Sequence, residues 1–159
     1  MGMKANGGYF SRTKGTFYSG DAKLMAPKEL FLQYISRRKD IDVNGYYDVI
    51  AHGTATYIQI VNAGKTYDIN WRTAARIIKN SPGYNGQAVR LMSCNTGSLD
   101  NGFAQNLANK LGVPVSAPTH YLFANYNGNY FVSGSDNNGL TSNNIVGSFR
   151  IFYPKGRKK

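Results

Sequence analysis

The chain is poor in the residues that most often build sites and crosslinks. One cysteine, two histidines, one tryptophan and eight acidic residues occur among 159. A lone cysteine excludes an internal disulfide, and with only two histidines no Cys/His set has the spacing of a zinc site. No metal and no cofactor are therefore expected. No apolar run approaches the roughly 18 to 20 residues that cross a bilayer as a helix, so no membrane span is expected. The opening stretch MGMKANGGYFSRTKG lacks the apolar segment of a signal peptide.

The scarcity of acid has a counterpart. Nineteen Lys and Arg against eight Asp and Glu give a formal charge of +11. Such a surplus attracts nucleic acid, anionic membranes or acidic proteins without choosing among them. Part of it belongs to PKGRKK at 154–159, read as a solvated basic tail. With 42% hydrophobic residues, including twelve Tyr and eight Phe, the composition is that of a globular protein, and the length suits a single domain over 1–159.

Residues 1–25 are rich in Gly, Lys and Tyr without a clear period, and read as an irregular arm or one short strand around GTFYSG. APKELFLQYISRRKD then has helical spacing, with Leu30, Phe31, Tyr34 and Ile35 on one side. After the break at VNG, YYDVIA is a buried strand. TYIQIV and KTYDI, joined through NAGK, form a hairpin. NWRTAARIIKNS is a helix with Asn70 as N-cap and a stripe of Trp71, Ala74, Ala75 and Ile78. AVRLMSC is a strand, FAQNLANKLG a helix closed by Gly112, and VPVSAP another strand. Beyond residue 120 the pattern is β: HYLFANYNGNYFVSG carries the hairpin signal Asn127-Gly128, and NIVGSFRIFYP reads as one last strand.

Strands alternating with helices imply an α/β fold: a central, mainly parallel sheet with crossover helices, and β-hairpin additions at the ends. The α/β core spans 46–120, followed by a β-rich extension over 121–153.

In an open parallel sheet, functional groups collect at the carboxyl ends of strands. His52 follows the strand DVIA, and Cys94 follows the strand AVRLMS. A thiol is a strong nucleophile as thiolate, and a nearby imidazole supplies the base or the stabilising cation. Gly53, without a side chain, lets its backbone N–H approach a ligand and form an oxyanion hole with the N–H of Cys94. On this reading Cys94 alkylates faster than an ordinary thiol, and Gly53→Val keeps the fold but impairs turnover. His120, in APTHY, follows a short strand and is an additional candidate base. Asp48 belongs to the start of its strand, and Asp100 to the first turn of a helix.

DVIAHG and AVRLMSCNTG, with a helix between them, resemble the His-Gly and strand-end Cys motifs of the caspase-like cysteine peptidases. The run RTAARIIKNSPGYNGQAVRLMSCNTG with FAQNLANKLGVPVSAPT is similar to C-terminal segments of bacterial polymorphic toxins of the Rhs and contact-dependent inhibition types. The resemblance covers roughly 46–120. It implies Cys94 as nucleophile, His52 as base or electrostatic partner, and Gly53 with Cys94 as oxyanion donors. It also implies a toxin domain delivered into the cytoplasm of a target cell as part of a larger protein. There it would act on a protein or peptide substrate and be matched by a cognate immunity protein. Before His52, only one helix and no opening strands of such a domain are legible. The alternative is a cationic nuclease, in which +11 draws in nucleic acid and the histidines with basic side chains cleave phosphodiesters.

Overall fold

A computed structural model describes residues 9–10, 16–18, 30–41, 44–62, 65–135 and 141–155. Its strands are β1 (Tyr9–Phe10), β2 (Thr16–Tyr18), β3 (Tyr47–Ile50), β4 (Ile58–Asn62), β5 (Lys65–Ile69), β6 (Val89–Met92), β7 (Val115–Pro118), β8 (Tyr121–Ala124), β9 (Tyr130–Ser135), β10 (Thr141–Val146) and β11 (Phe149–Phe152). Its helices are α1 (Leu30–Ile35), α2 (Trp71–Lys79) and α3 (Phe103–Leu111). The fold is mixed α/β. A six-stranded sheet has the order β1-β2-β3-β6-β7-β11; β2, β3, β6 and β7 run parallel, and the two outermost strands are antiparallel to their neighbours. Two antiparallel sheets accompany it, β4-β5 and β10-β9-β8. Among the described residues no helix is long and apolar enough to cross a membrane.

The central strands carry one continuous apolar face, which the crossover helices of a parallel sheet cover. Tyr47, Val49, Val89, Leu91, Val115 and Ala117 share one buried cluster with Ala74 and Ile78 of α2 and Phe103 and Leu107 of α3. Asn70 caps α2 by accepting the Thr73 N–H at 3.0 Å, and Gly112 ends α3 in the left-handed region at φ 74°. The opposite face meets α1 and the β8-β9 hairpin through Ile35, Ile50, Met92 and Leu122.

Three expectations change. Among the described residues the arm contributes β1 and β2: Thr16–Tyr18, within GTFYSG, pairs parallel with β3, so an opening strand does precede His52. Residues 26–29, the opening of the stretch read as the first helix, lie outside the described residues. NIVGSFRIFYP is two strands in two sheets, since β10 pairs with β9 and β11 with β7. The break falls at Gly147, where a Cβ would lie 2.6 Å from Val132 Cγ1 and 2.9 Å from His120 Nδ1, so the chain changes sheets at the point of closest approach. Trp71 is only partly buried; Ile77 joins Ala74, Ala75 and Ile78 on the buried side of α2.

Candidate active site

The site is built by register. Strands β3 and β6 are parallel neighbours, with Asp48 opposite Arg90 and Ile50 opposite Met92, and the Ala51 N–H donates to Met92 O at 3.3 Å. Both strands end at the pair of Ile50 and Met92, and His52 and Cys94 each follow two residues beyond it. Cys94 packs against the cluster of Ile50 and Met92, which Phe31 also joins. Both candidates therefore lie at the carboxyl edge on the side covered by α1 and β8-β9. Phe31 of α1 joins them: it packs in the cluster that contains Cys94, and its ring centroid is 5.9 Å from that of His52.

The register is held by charge. Arg90 clasps Asp48 with two hydrogen bonds, Nε to Oδ1 and Nη2 to Oδ2, both 2.7 Å, while Arg38 Nε donates to Asp48 Oδ2 at 2.8 Å. The side chains of Arg38 and Asp48 are completely buried. Arg90 also reaches Asp40 at 2.9 Å and the Tyr130 hydroxyl at 2.8 Å, and that hydroxyl donates in turn to Asp40. Burial opposes the charge of Arg90, but its hydrogen bonds to Asp48 and Asp40 outweigh burial and raise its pKa above the ordinary value. Burial and the bond to Asp40 push Tyr130 up to about 12. A slip of one residue would turn every one of these groups to the other face. The network was missed in the sequence, although the signal was there: Asp48 and Arg90 are lone charges in apolar strands, each four residues before a candidate catalytic group.

Cys94 is half-buried. Its Sγ lies against the backbone of β8, accepting from the Leu122 N–H at 3.4 Å and facing Leu122 O at 3.8 Å. Burial raises the thiol pKa, opposed by the N–H groups of Leu122 and of Cys94 itself. Burial thus works against the thiolate on which the expected fast alkylation depends. After it the chain turns sharply. Asn95 adopts φ 61°, and its N–H donates to His120 O at 2.8 Å; the Gly97 N–H donates to Pro118 O at 2.8 Å. The loop beyond Cys94 is so stapled to the end of β7.

Gly53 lies against that loop. A Cβ there would sit 2.9 Å from Thr96 Cγ2 and 3.0 Å from the carbonyl oxygen of Cys94. Its bridge to Ile58 is made by its neighbours, Thr54 N–H to Tyr57 O and Gln59 N–H to His52 O, each 2.9 Å. Glycine is required by this close approach, so Gly53→Val would displace the Cys94 loop instead of leaving the fold intact.

The structure thus sets Gly53 against the Cys94 loop, places Phe31 beside both His52 and the cluster of Cys94, and ties His120 to the loop through its backbone. The His120 ring itself is engaged elsewhere, with Nδ1 2.8 Å from Thr119 Oγ1 and close to Gly147. Asp100 precedes α3 and its Gly102 cap, and forms an exposed pair with Arg150 at 2.6 Å. Asp48 is committed to arginines. Among the described residues no group of three or more His, Cys, Asp or Glu is gathered as a metal site requires. An open cavity of about 450 Å³, lined by Lys39, Asp40, Gly128, Asn129 and Tyr130, borders the ion network; its lining includes neither His52 nor Cys94.

No curated protein and no solved structure matches the chain. Residues 20–132 match a family model described as a domain of unknown function, DUF8616. The match takes in the whole of the β3, β6 and β7 edge with His52, Gly53, Cys94 and His120, and it spans most of the chain. This protein belongs to the DUF8616 family.

Proposed function

We propose that this domain is a cysteine hydrolase cutting a peptide or related acyl bond, with Cys94 as nucleophile and His52 as its base. The observation that supports this reading is the pairing of β3 with β6 up to Ile50 and Met92, each two residues before one of the groups, with Phe31 beside both. Because burial favours the neutral thiol, the proton moves during attack and not before it. His52 accepts the Sγ proton as sulfur bonds to the acyl carbon, and the N–H groups of Gly53 and Cys94 receive the oxyanion. Collapse expels the amine, which takes the proton from His52. Water, deprotonated by His52, then cleaves the thioester and regenerates the thiol. The caspase-like and toxin resemblances of the sequence add the setting: an effector delivered into a target cell and restrained by an immunity protein.

The test is growth inhibition on expression inside bacteria, comparing wild type with Cys94→Ala and His52→Ala, each checked for folding by circular dichroism. Inhibition by wild type alone is expected. A fully toxic Cys94→Ala would end the thiol mechanism. The net charge of +11 favours the second reading, a cationic nuclease using His52 or His120; RNA degradation that survives Cys94→Ala would establish it.

A further inference from the structure

The β8-β9 hairpin has two unlike faces. Leu122, Ala124, Tyr130 and Val132 pack inward around Ile35, Ile50 and Met92. Alternation therefore turns Tyr121, Phe123 and Phe131 outward. Tyr121 is 44% exposed and Phe131 46% exposed, and the rings of Phe123 and Phe131 stack at 5.5 Å and 19°. At the hairpin tip, on the side of α1, the Arg37 guanidinium lies 4.5 Å from the ring centroid of the exposed Tyr126 and donates to its carbonyl oxygen, and Lys39 lines the open cavity together with Asp40 and Tyr130. Exposed flat rings are costly to leave in water, and contiguous apolar surface of this kind marks an interaction site, with Arg37 and Lys39 beyond the hairpin tip.

We infer that this outer face binds single-stranded nucleic acid, with bases stacking on Tyr121, Phe123 and Phe131 and phosphates drawn to Arg37 and Lys39. Proteins that hold single strands combine aromatic platforms with a positive track, because every nucleotide brings both a ring and a charge. An acidic protein segment would match the +11 charge but would bring no ring for the stacked phenylalanines. The inference concerns binding alone and stands apart from the hydrolase reading.

The test is fluorescence anisotropy of a labelled single-stranded oligouridylate with the full chain, titrated at several salt concentrations. Phe123→Leu/Phe131→Leu keeps the apolar character and removes the stack; each ring lost is expected to weaken binding roughly five- to 150-fold. The slope of log affinity against log salt should stay unchanged in that variant. Lys39→Gln should instead reduce the slope by about 0.7, the value of one single-strand phosphate contact. Should the double variant fail to fold, Phe131→Leu alone carries the same test at its exposed position. No binding at low salt, or leucine variants that bind as wild type does, would overturn the inference. So would polyglutamate binding as tightly as RNA and weakening equally in the leucine variants, which would mark the face as a site for an acidic protein.

Discussion

On one side of the central sheet, Val49, Leu91, Val115 and Ala117 meet α2 and α3 in a continuous apolar layer. On the other, Asp48 and Arg90 lie level with each other between apolar neighbours, joined by Arg38, Asp40 and Tyr130. The apolar side is the simpler way to bury surface, since it desolvates no ions. Buried ion pairs gain little net stability, and their best-attested use is to fix one arrangement among several. Here the arrangement fixed is the β3-β6 register, Asp48 opposite Arg90 and Ile50 opposite Met92. One face thus supplies stability, and the other fixes the strand ends on which the proposed pairing of His52 with Cys94 rests.

The largest effect should come from breaking the charged face. Asp48→Ala leaves Arg38 and Arg90 buried without their anion and is expected to cost about 3–5 kcal/mol in urea unfolding. The combined change Arg38→Met, Asp48→Leu, Arg90→Met removes the ions together and should recover stability to within about 1 kcal/mol of wild type, or exceed it. If the network only stabilises, this variant stays functional; if it sets register, growth inhibition falls although the protein is folded.

On the apolar face the corresponding change is smaller. Ile78→Val should cost about 0.5–1.5 kcal/mol and leave growth inhibition unaltered. A functional loss there would blur the distinction between the faces.

Much of the apolar face was legible in the sequence. Asn70 and Gly112 bound their helices as local chemistry dictates, and the apolar spacing of Ala74, Ala75 and Ile78 needs no knowledge of the sheet. Asn127-Gly128 marked the β8-β9 hairpin for the same reason, with Gly128 at φ 89°. What escaped depends on contacts between distant segments. The split of NIVGSFRIFYP at Gly147 is set by His120 and Val132. Asp48 finds its partners ten residues before it and forty-two after it. At the candidate site, the placement of His52 and Cys94 at strand ends followed from pattern, but the burial that raises the thiol pKa, and the Leu122 N–H that opposes it, exist only once the hairpin has folded over Cys94.

The smallest effect is a shared alkaline limb, drawn from one tyrosine on each face. Burial raises Tyr47 to about 12, against a lowering hydrogen bond from Ser81; burial and the bond to Asp40 raise Tyr130 to about 12. In the unfolded chain both ionise near 10.0. A folded pKa above the unfolded one gives stability that is complete below pH 10 and is lost as pH rises through about 12. The unfolding midpoint should fall over that window, and Tyr47→Phe and Tyr130→Phe should each flatten part of the fall.

Whether the two strand ends belong together can be read from the histidines themselves, since the chain has only two. NMR titration of the His52 ring in Cys94→Asp, referenced to Cys94→Ser, places a carboxylate where the thiol stands. If the register sets the pair, the new charge should raise the His52 pKa by about 1 unit or more, as an opposite charge within a few ångströms does. A His52 titration identical in the two variants, with both folded, would contradict the pairing and the mechanism built on it.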